Sequence, residues 1–317
     1  MSEEKDSYSI LYIMGRGYSG STTLDLILGN HEEIQSVGEL TSGFSSSKDS
    51  RLCSCYSLLD ECVFWGTVRQ RLQQQYPETS LDEYGRMIRY MARFYRIPQI
   101  RTDTGLPSWF YKVYDPMTHD LYDLISQESQ KSYIVDSSKE MGYAYYLLTH
   151  FSSRTKIIHL VRDGRGVMWS YLRRLRSGQP FQFLRRYYSS RSYWIFMVLS
   201  ALSWNFGNMI GIFLRLFNKD KILLVRYEDL CNNPGEEFSR IGNFIGLDFT
   251  EIIRRIENSD PFNIGHTVGG NRMRHNESGQ FIFQPDSTWQ NHLPKRYSIL
   301  FVLLSFPLLI YLGYFKK

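Results

Sequence analysis

A glycine-rich stretch near the start of the chain carries the residue types that hold a phosphate-like group. Residues 10–14 are an unbroken apolar run, and the sequence continues GRGYSGSTT, with three glycines followed by Ser21, Thr22 and Thr23. Glycines let the backbone approach an anion, and the amide groups at a helix N-terminus present partial positive charge to it. We predict a buried strand, an anion-binding turn and a helix start. An ordinary Gly/Ser turn is the alternative.

The spacing of this turn argues against one kind of chemistry. Gly15 and Gly20 stand as far apart as the glycines of a Walker A loop, but Ser21 occupies the place of its lysine. Nucleoside triphosphatases use that lysine on the β- and γ-phosphates. We therefore expect the turn to hold a phosphate-like group without hydrolysing a triphosphate.

A second anion site is predicted further along the chain. Residues 156–161, KIIHLV, have the pattern of a strand, which ends at Arg162 before a helix that carries Ser170. Arginine offers a two-pronged donor to a phosphate, and serine adds a hydroxyl. Two separated anion sites on one sheet predict a ligand with two phosphate-like groups. A solvated charged turn is the alternative.

The alternation of strands and helices predicts the fold class. Apolar runs at 10–14, 133–136, 156–161 and 221–225 are each followed by polar residues and a helical pattern. This pattern is typical of α/β proteins, which place their sites at the carboxyl ends of parallel strands. We predict one three-layer, P-loop-like α/β domain over 1–317, with a central parallel sheet. Within it we expect a mainly helical insertion at 41–130, covering the site, and an apolar C-terminal helix at 298–317.

Composition narrows the class of partner. The chain has 317 residues, 43% of them hydrophobic, and a net charge of +5. This suits a globular protein with an anionic ligand, and the sequence shows no motif for nucleic acid. The polar start MSEEKDSYS lacks the apolar segment of a secretory signal, so we expect a cytoplasmic location.

Two apolar stretches raise the question of a membrane. Residues 194–214 are superficially similar to a span, but Asn205 and Asn208 interrupt them, so we predict a buried helix pair within 181–217. The run at 298–315 is barely long enough to cross and contains Pro307. We expect it to pack on the domain or to contact a membrane surface.

The cysteines form a motif whose purpose the sequence leaves open. Cys53, Cys55 and Cys62 are spaced C-x-C-x6-C, and Cys231 stands apart. A zinc site would need a fourth ligand and usually has C-x2–4-C spacing. We therefore expect reduced thiols or a local disulfide, and no metal.

Taken together and in this order, the motifs resemble the sulfotransferase superfamily that uses 3′-phosphoadenosine 5′-phosphosulfate (PAPS). GRGYSGSTTLDLILGNH resembles the family's 5′-phosphosulfate loop and helix, KIIHLVRDGRGVMWS its 3′-phosphate segment, and VRYEDL its next strand end. VGEL, VDSSK, LCSC…CVFW and HTVGGNRMR are similar to the branch with many bacterial members. The loop region is also similar to tyrosylprotein sulfotransferases.

The resemblance implies transfer of a sulfuryl group from PAPS to a hydroxyl or amine, with no metal. Glu39 is the candidate general base and Lys139 the candidate cation on the leaving group. A surface carboxylate is the alternative for Glu39, with His31 and His159 as other bases, although His159 fits a core position better. The residues expected to bind PAPS are Arg16, Gly17, Tyr18, Ser19, Gly20, Ser21, Thr22, Thr23, Arg162, Ser170, Tyr227, Asn271 and Arg274.

One position departs from the family pattern. Related loops commonly carry arginine where this chain has Tyr18, which removes an expected cation. Arg16, Lys139 or Arg274 could compensate. Two rival functions stay open, a P-loop kinase for a small molecule and a non-catalytic nucleotide-binding protein. The sequence leaves undecided whether the acceptor is a carbohydrate, lipid, tyrosine or small metabolite, and it does not indicate the oligomeric state.

Overall fold

A parallel five-stranded sheet in the order β2-β3-β1-β4-β5 forms the centre of the molecule. The computed structural model describes residues 8–44, 52–176, 192–275 and 285–315. Helices cover both faces of the sheet, which confirms the predicted three-layer α/β fold. The strands are β1 (Ser9–Gly15), β2 (Ile34–Gly38), β3 (Tyr133–Lys139), β4 (Thr155–Val161) and β5 (Ile222–Arg226).

Proline or polar residues mark the starts of several helices in the described part of the chain. Helix 234–245, for example, opens on Pro234, whose missing N–H costs nothing in a first turn. Short 3₁₀ turns span Phe94–Arg96 and Arg272–His275, and a π-helical turn spans Phe110–Tyr114. The α-helices are α1 (Ser21–Leu28), α2 (Leu40–Gly43), α3 (Val63–Gln75), α4 (Leu81–Met91), α5 (Ile97–Thr102), α6 (Asp115–Ser129), α7 (Met141–His150), α8 (Gly164–Arg176), α9 (Ser192–Phe217), α10 (Tyr227–Asn232), α11 (Pro234–Ile245), α12 (Thr250–Glu257), α13 (Trp289–His292) and α14 (Lys295–Tyr311).

Strand β1 lies in the middle of the sheet, which explains its unbroken apolar sequence. Ile10, Tyr12 and Met14 pack on one face with α7 and with helices of the predicted insertion. Leu11 and Ile13 point to the other face and pack with α1, α11 and α12. A strand alternates its side chains between faces, so a strand covered on both sides is apolar throughout.

The described part of the predicted insertion contains α3 to α6 and packs on the sheet through buried aromatic side chains. Trp65, Tyr84 and Tyr122 are each almost completely buried. The sequence of residues 81–95 has a helical pattern that predicts a helix stopped by Pro98. Instead α4 ends at Met91, and Pro98 lies in the first turn of α5.

The prediction of a buried helix pair within 181–217 is wrong for the described residues of that stretch, while 177–191 lie outside them. One helix, α9, runs from Ser192 to Phe217, and it packs against α14. Trp204 and Asn208 face inwards, whereas Phe206 and Phe213 are about half exposed. Among the described helices, α9 is long and apolar enough to cross a membrane, and 39% of its most apolar window is buried.

The tail forms α14, with Pro307 inside the helix. It packs on the domain through Phe301, whose ring lies so close to Gly164 that a Cβ there would come within 1.9 Å of it.

Candidate active site

The polar residues picked out from the sequence meet at one edge of the sheet. Parallel strands share one carboxyl edge, where β1 is followed by the glycine loop, β2 by Glu39, β4 by Arg162 and β5 by Tyr227, while β3 ends on Lys139 itself. The chain leaves β1 towards β2 on one side of the sheet and leaves the neighbouring β4 towards β5 on the other side. Such a switch point opens a crevice in which α/β proteins bind their ligands.

The loop between β1 and α1 contains glycines that no other residue could replace unless neighbouring atoms moved. Gly20 has φ of 90°, and a Cβ there would lie 2.5 Å from the Tyr227 ring. A Cβ at Gly15 would lie 2.6 Å from the carbonyl oxygen of Leu160. The Ser19 hydroxyl is buried and has no hydrogen-bond partner among the described residues. The glycines thus let the loop backbone pack closely on its neighbours, beside a buried hydroxyl whose hydrogen-bonding capacity is unused within the described residues.

The other hydroxyl residues of the loop line the start of α1. Ser21 is buried in its first turn. The hydroxyl oxygen of Thr22 accepts a hydrogen bond from the backbone N–H of Asn271, at 3.3 Å. Thr23 Oγ1 lies 3.7 Å from the sulfur of Met273. The basic loop HTVGGNRMR, residues 266–274 after α12, therefore reaches the residues that follow the glycine loop.

Arg162 lies against the glycine loop. Its Nη1 donates to the carbonyl oxygen of Tyr18 at 2.9 Å, and its guanidinium carbon is 4.8 Å from the centroid of the Tyr227 ring. Its Nη2 donates to the carbonyl oxygen of Asp286 and lies 3.3 Å from the carboxylate Oδ2 of that residue. Burial acts to raise the pKa of Asp286, but hydrogen bonds from Thr288 and the charge of Arg162 leave it below its usual range. Arg162 thus already faces an anionic group.

Ser170 is buried on α8, one turn after Gly166, and its hydroxyl donates to the Gly166 carbonyl oxygen at 3.0 Å. A cavity of about 370 Å³ lies beside this region, lined by residues that include Asp163, Arg165 and Asp286. Arg162, Ser170 and the cavity share the β4/β5 side of the sheet edge.

Glu39 and Lys139 are in direct contact on the opposite side of the glycine loop. Lys139 Nζ forms an ion pair with Glu39 Oε1, and the two side chains are only 17–18% exposed. Lys139 has φ of 70°, an uncommon conformation for a residue other than glycine. A Cβ at Gly270 would lie 3.6 Å from Glu39 Oε1 and 3.3 Å from Thr22 Oγ1. Glu39 is therefore placed close to the first turn of α1.

Comparisons with known proteins identify the family of this chain. Residues 11–251 match the model of the family described as Sulfotransferase family. The chain belongs to the sulfotransferase family. The human protein carbohydrate sulfotransferase 1 is 31% identical over 123 residues, which are 36% of this chain and 29% of that protein. The match thus spans less than a third of that relative.

A solved structure shows the same fold. The sulfotransferase domain from the olefin synthase of Synechococcus PCC 7002 superposes with a TM-score of 0.50 and 21% identity, covering 96% of each chain. At this identity, the likeness shows the fold alone.

In this member of the sulfotransferase family, two buried acids, Asp25 on α1 and Asp136 on β3, are not among the site residues predicted from the sequence. Asp136 accepts hydrogen bonds from the Tyr122 hydroxyl and from both N–H and hydroxyl of Ser138, and burial raises its pKa to about 6. Ser138 in turn accepts from the N–H of Thr41, which ties the end of β3 to α2. Burial also raises the pKa of Asp25 on α1 well above its usual range. A lone acid within the apolar run LDLIL was the signal that could have revealed Asp25.

An arginine, Arg174, contacts Tyr18, the loop residue that departs from the family pattern. Arg174 Nη1 donates to the Tyr18 hydroxyl at 3.1 Å, and the Tyr18 ring packs edge-on against Tyr171, with centroids 4.9 Å apart. Arg16, by contrast, donates to the Ser203 hydroxyl on α9. A Cβ at Gly17 would lie 3.2 Å from the Tyr171 hydroxyl, so the Tyr171 side chain packs close to the loop. Arg174 was not among the residues predicted from the sequence to compensate for Tyr18.

Arg274, which was predicted to bind PAPS, forms hydrogen bonds with backbone carbonyl groups outside the glycine loop. Its buried guanidinium donates to the carbonyl oxygens of Leu52 and Thr267, at 2.9 and 3.3 Å. These contacts join the basic loop to the start of the insertion. Binding of PAPS by Arg274 and by the other selected residues stays a prediction.

The two histidines considered as alternative bases lie apart from the Glu39–Lys139 pair. His31 Nε2 is 3.0 Å from the carbonyl oxygen of Asp248, and its Nδ1 accepts from the N–H of Glu33. His159 is completely buried beneath α9, and burial lowers its pKa to about 4. His159 therefore occupies a core position, as its place in the strand predicted.

Proposed function

We propose that this chain transfers a sulfuryl group from PAPS to a hydroxyl, or an amine, of an acceptor. The observation that carries the proposal is the contact between Glu39 and Lys139 beside the hydroxyl-rich glycine loop. One site then offers a proton acceptor, a cation and an anion cradle within reach of one another. Family membership supports the reaction class.

The residues present fit a donor with two anionic groups. The glycine loop, with the N-terminus of α1 and the Ser19 hydroxyl, which has no hydrogen-bond partner in the described part of the chain, would hold the 5′-phosphosulfate. Arg162 and Ser170 would hold the 3′-phosphate. Arg162 faces the Asp286 carboxylate, which fits this assignment because that position accommodates a negative charge. The phosphate would have to take the place of this carboxylate.

The chemistry requires little covalent participation by the protein. The bond between the sulfur and the bridging oxygen of the donor breaks as a bond forms between the sulfur and the acceptor oxygen, and the acceptor loses a proton. Glu39 takes that proton, and Lys139 stabilises the negative charge on the departing phosphate oxygen. Before reaction, the ion pair with Lys139 orients the Glu39 carboxylate.

A carbohydrate hydroxyl is the first acceptor to test, because the human relative is named a carbohydrate sulfotransferase. The surface near Arg16 supports this choice. Gly207 of α9 packs on Arg16, and the neighbouring Phe206 contacts Phe94 with ring centroids 4.7 Å apart. Both rings are about half exposed. Exposed aromatic faces suit the apolar face of a sugar or a lipid chain.

The decisive experiment combines binding and turnover. PAPS binding is measured by calorimetry, and transfer from ³⁵S-labelled PAPS is followed on carbohydrate, lipid, tyrosyl-peptide and small-hydroxyl acceptors. Transfer to any of them, lost in Glu39→Gln, supports the proposal. Tight PAPS binding without transfer to any acceptor would indicate a non-catalytic protein. Magnesium-dependent phosphate transfer from ATP would indicate a kinase.

A further inference from the structure

The three clustered cysteines meet a histidine that lies more than 200 residues away in the sequence. Cys62 Sγ is 3.3 Å and Cys53 Sγ is 3.6 Å from His266 Nδ1, and Cys55 Sγ is 3.7 Å from Cys62 Sγ. The four ligand atoms all lie within 4.8 Å of one another. All four thiols of the chain are free, including that of the separate Cys231. The cluster supplies the fourth ligand that the cysteine spacing lacked.

One sulfur–sulfur separation and two sulfur–nitrogen separations are close to those of a tetrahedral zinc site. Zn–S bonds of about 2.3 Å and Zn–N bonds of about 2.0–2.1 Å place two sulfurs about 3.8 Å apart and a sulfur about 3.5–3.6 Å from a nitrogen. The sulfur–sulfur distance of 3.7 Å and the sulfur–nitrogen distances of 3.3 and 3.6 Å agree with these values. A disulfide needs about 2.05 Å between its sulfurs.

The surrounding chain holds the ligands in place independently of an ion. A tight turn, closed by the N–H of Tyr56 on the carbonyl oxygen of Cys53, brings Cys53 and Cys55 to the same side. Ser54 joins the turn to the other segment, since its N–H donates to the Thr267 carbonyl oxygen and its hydroxyl accepts from the Thr267 N–H. Trp65 Nε1 donates to the carbonyl oxygen of His266 at 2.8 Å. Such outer contacts orient metal ligands.

We propose that Cys53, Cys55, Cys62 and His266 bind one structural Zn²⁺ ion. Three soft thiolates and an imidazole suit zinc rather than magnesium or calcium, and four protein ligands close the coordination sphere. The ion does not take part in sulfuryl transfer. Its site joins the start of the insertion to the segment that follows α12.

The segment that follows α12, which the zinc site would join to the insertion, also supports Glu39. The N–H of Val268 donates to the Val37 carbonyl oxygen, and the N–H of Glu39 donates to the Val268 carbonyl oxygen. Gly269 packs so tightly on Glu39 that a Cβ would come within 2.8 Å of the Glu39 Cβ. The zinc ion would therefore fix the position of Glu39, a consequence that rests on the proposed function, whereas metal binding itself does not.

The first test measures metal content and needs no assay of activity. The full-length protein is purified from cells grown with zinc, and its metals are quantified by mass spectrometry. Wild type and the control Cys231→Ser should each hold about one equivalent of zinc, while Cys62→Ser and His266→Ala should hold at most about a tenth of that. Wild-type protein without zinc, or full zinc retention in both variants, would overturn the proposal.

A second measurement keeps the proposal testable if those variants fail to fold. Wild-type protein is stripped of zinc and titrated with Co²⁺, whose absorption reports the ligand geometry. Intense visible bands of tetrahedral Co²⁺ with thiolate charge transfer are expected, and Cys55→Ser, at the exposed ligand position, should weaken the charge-transfer band. Weak octahedral bands, or alkylation showing that Cys55 and Cys62 form a disulfide, would contradict it.

Discussion

The two sides of the site are assembled in different ways. On the β4/β5 side, Arg162 and Ser170 come from one stretch of strand, turn and helix, and the sequence places them together. On the β2/β3 side, Glu39 meets Lys139 across 100 residues of chain, and the segment around Val268 supports it from still further away. The proposed phosphate site is thus built largely from local motifs, whereas the proposed catalytic pair depends on long-range packing. The two sides should therefore respond differently to mutation.

Glu39→Gln should have the largest effect, because it removes the proton acceptor while keeping the shape of the side chain. We expect kcat to fall by roughly 10²–10⁴-fold, the usual contribution of a general base. PAPS affinity and Tm should stay near wild type, and a phenolic acceptor should lose less than an aliphatic alcohol. Glu33→Gln, with its carboxylate beside Ser132 before β2, is the matched control. Turnover within threefold of wild type would exclude Glu39 as the base.

Arg162→Ala should weaken the proposed 3′-phosphate site on the β4/β5 side selectively. Loss of a hydrogen bond to a charged group costs about 1.5–3 kcal/mol, so PAPS should bind roughly 10–150-fold more weakly in calorimetry. Adenosine 5′-phosphosulfate, which lacks the 3′-phosphate, should bind almost as well as it does to wild type. An equal loss for both ligands would mean that Arg162 maintains the loop through its bond to Tyr18 rather than binding the phosphate.

Removal of the proposed zinc ion should affect the β2/β3 side, with Glu39 and Lys139, more than the β4/β5 side, with Arg162 and Ser170. In Cys62→Ser, kcat should fall by about tenfold or more, as is usual when the support of a site is lost, while affinity for adenosine 3′,5′-bisphosphate changes little. Cys231→Ser serves as the control in the same assays. A loss of nucleotide affinity as large as the loss of turnover would show that the two sides are not supported separately.

Asp286→Asn should have the smallest effect and the opposite sign. The substitution removes the carboxylate charge next to Arg162 but keeps an oxygen that can accept from Thr288. A partly exposed ion pair contributes up to about 1 kcal/mol, so PAPS should bind roughly threefold more tightly. Asp60→Asn, which weakens the surface pair with Arg69, is the control. Weaker PAPS binding would mean that Asp286 positions Arg162 instead of competing with the phosphate.

The sequence by itself determined the strand–loop–helix units and the family. The apolar run at 10–14, the glycines after it and Arg162 after KIIHLV all act locally, because hydrogen bonding, glycine conformation and strand alternation depend on near neighbours. Pro234 marked the start of α11 for the same reason. The family pattern then connected these units to one reaction.

Only the tertiary structure decided which distant side chains meet. Strand β2 lies beside β3 although nearly a hundred residues separate them, and this neighbourhood joins Glu39 to Lys139. The same packing brings His266 to Cys62 across 204 positions and Asp286 to Arg162 across 124. Spacing along the chain carries no information about such contacts, because they depend on the order of the strands and the packing of whole segments.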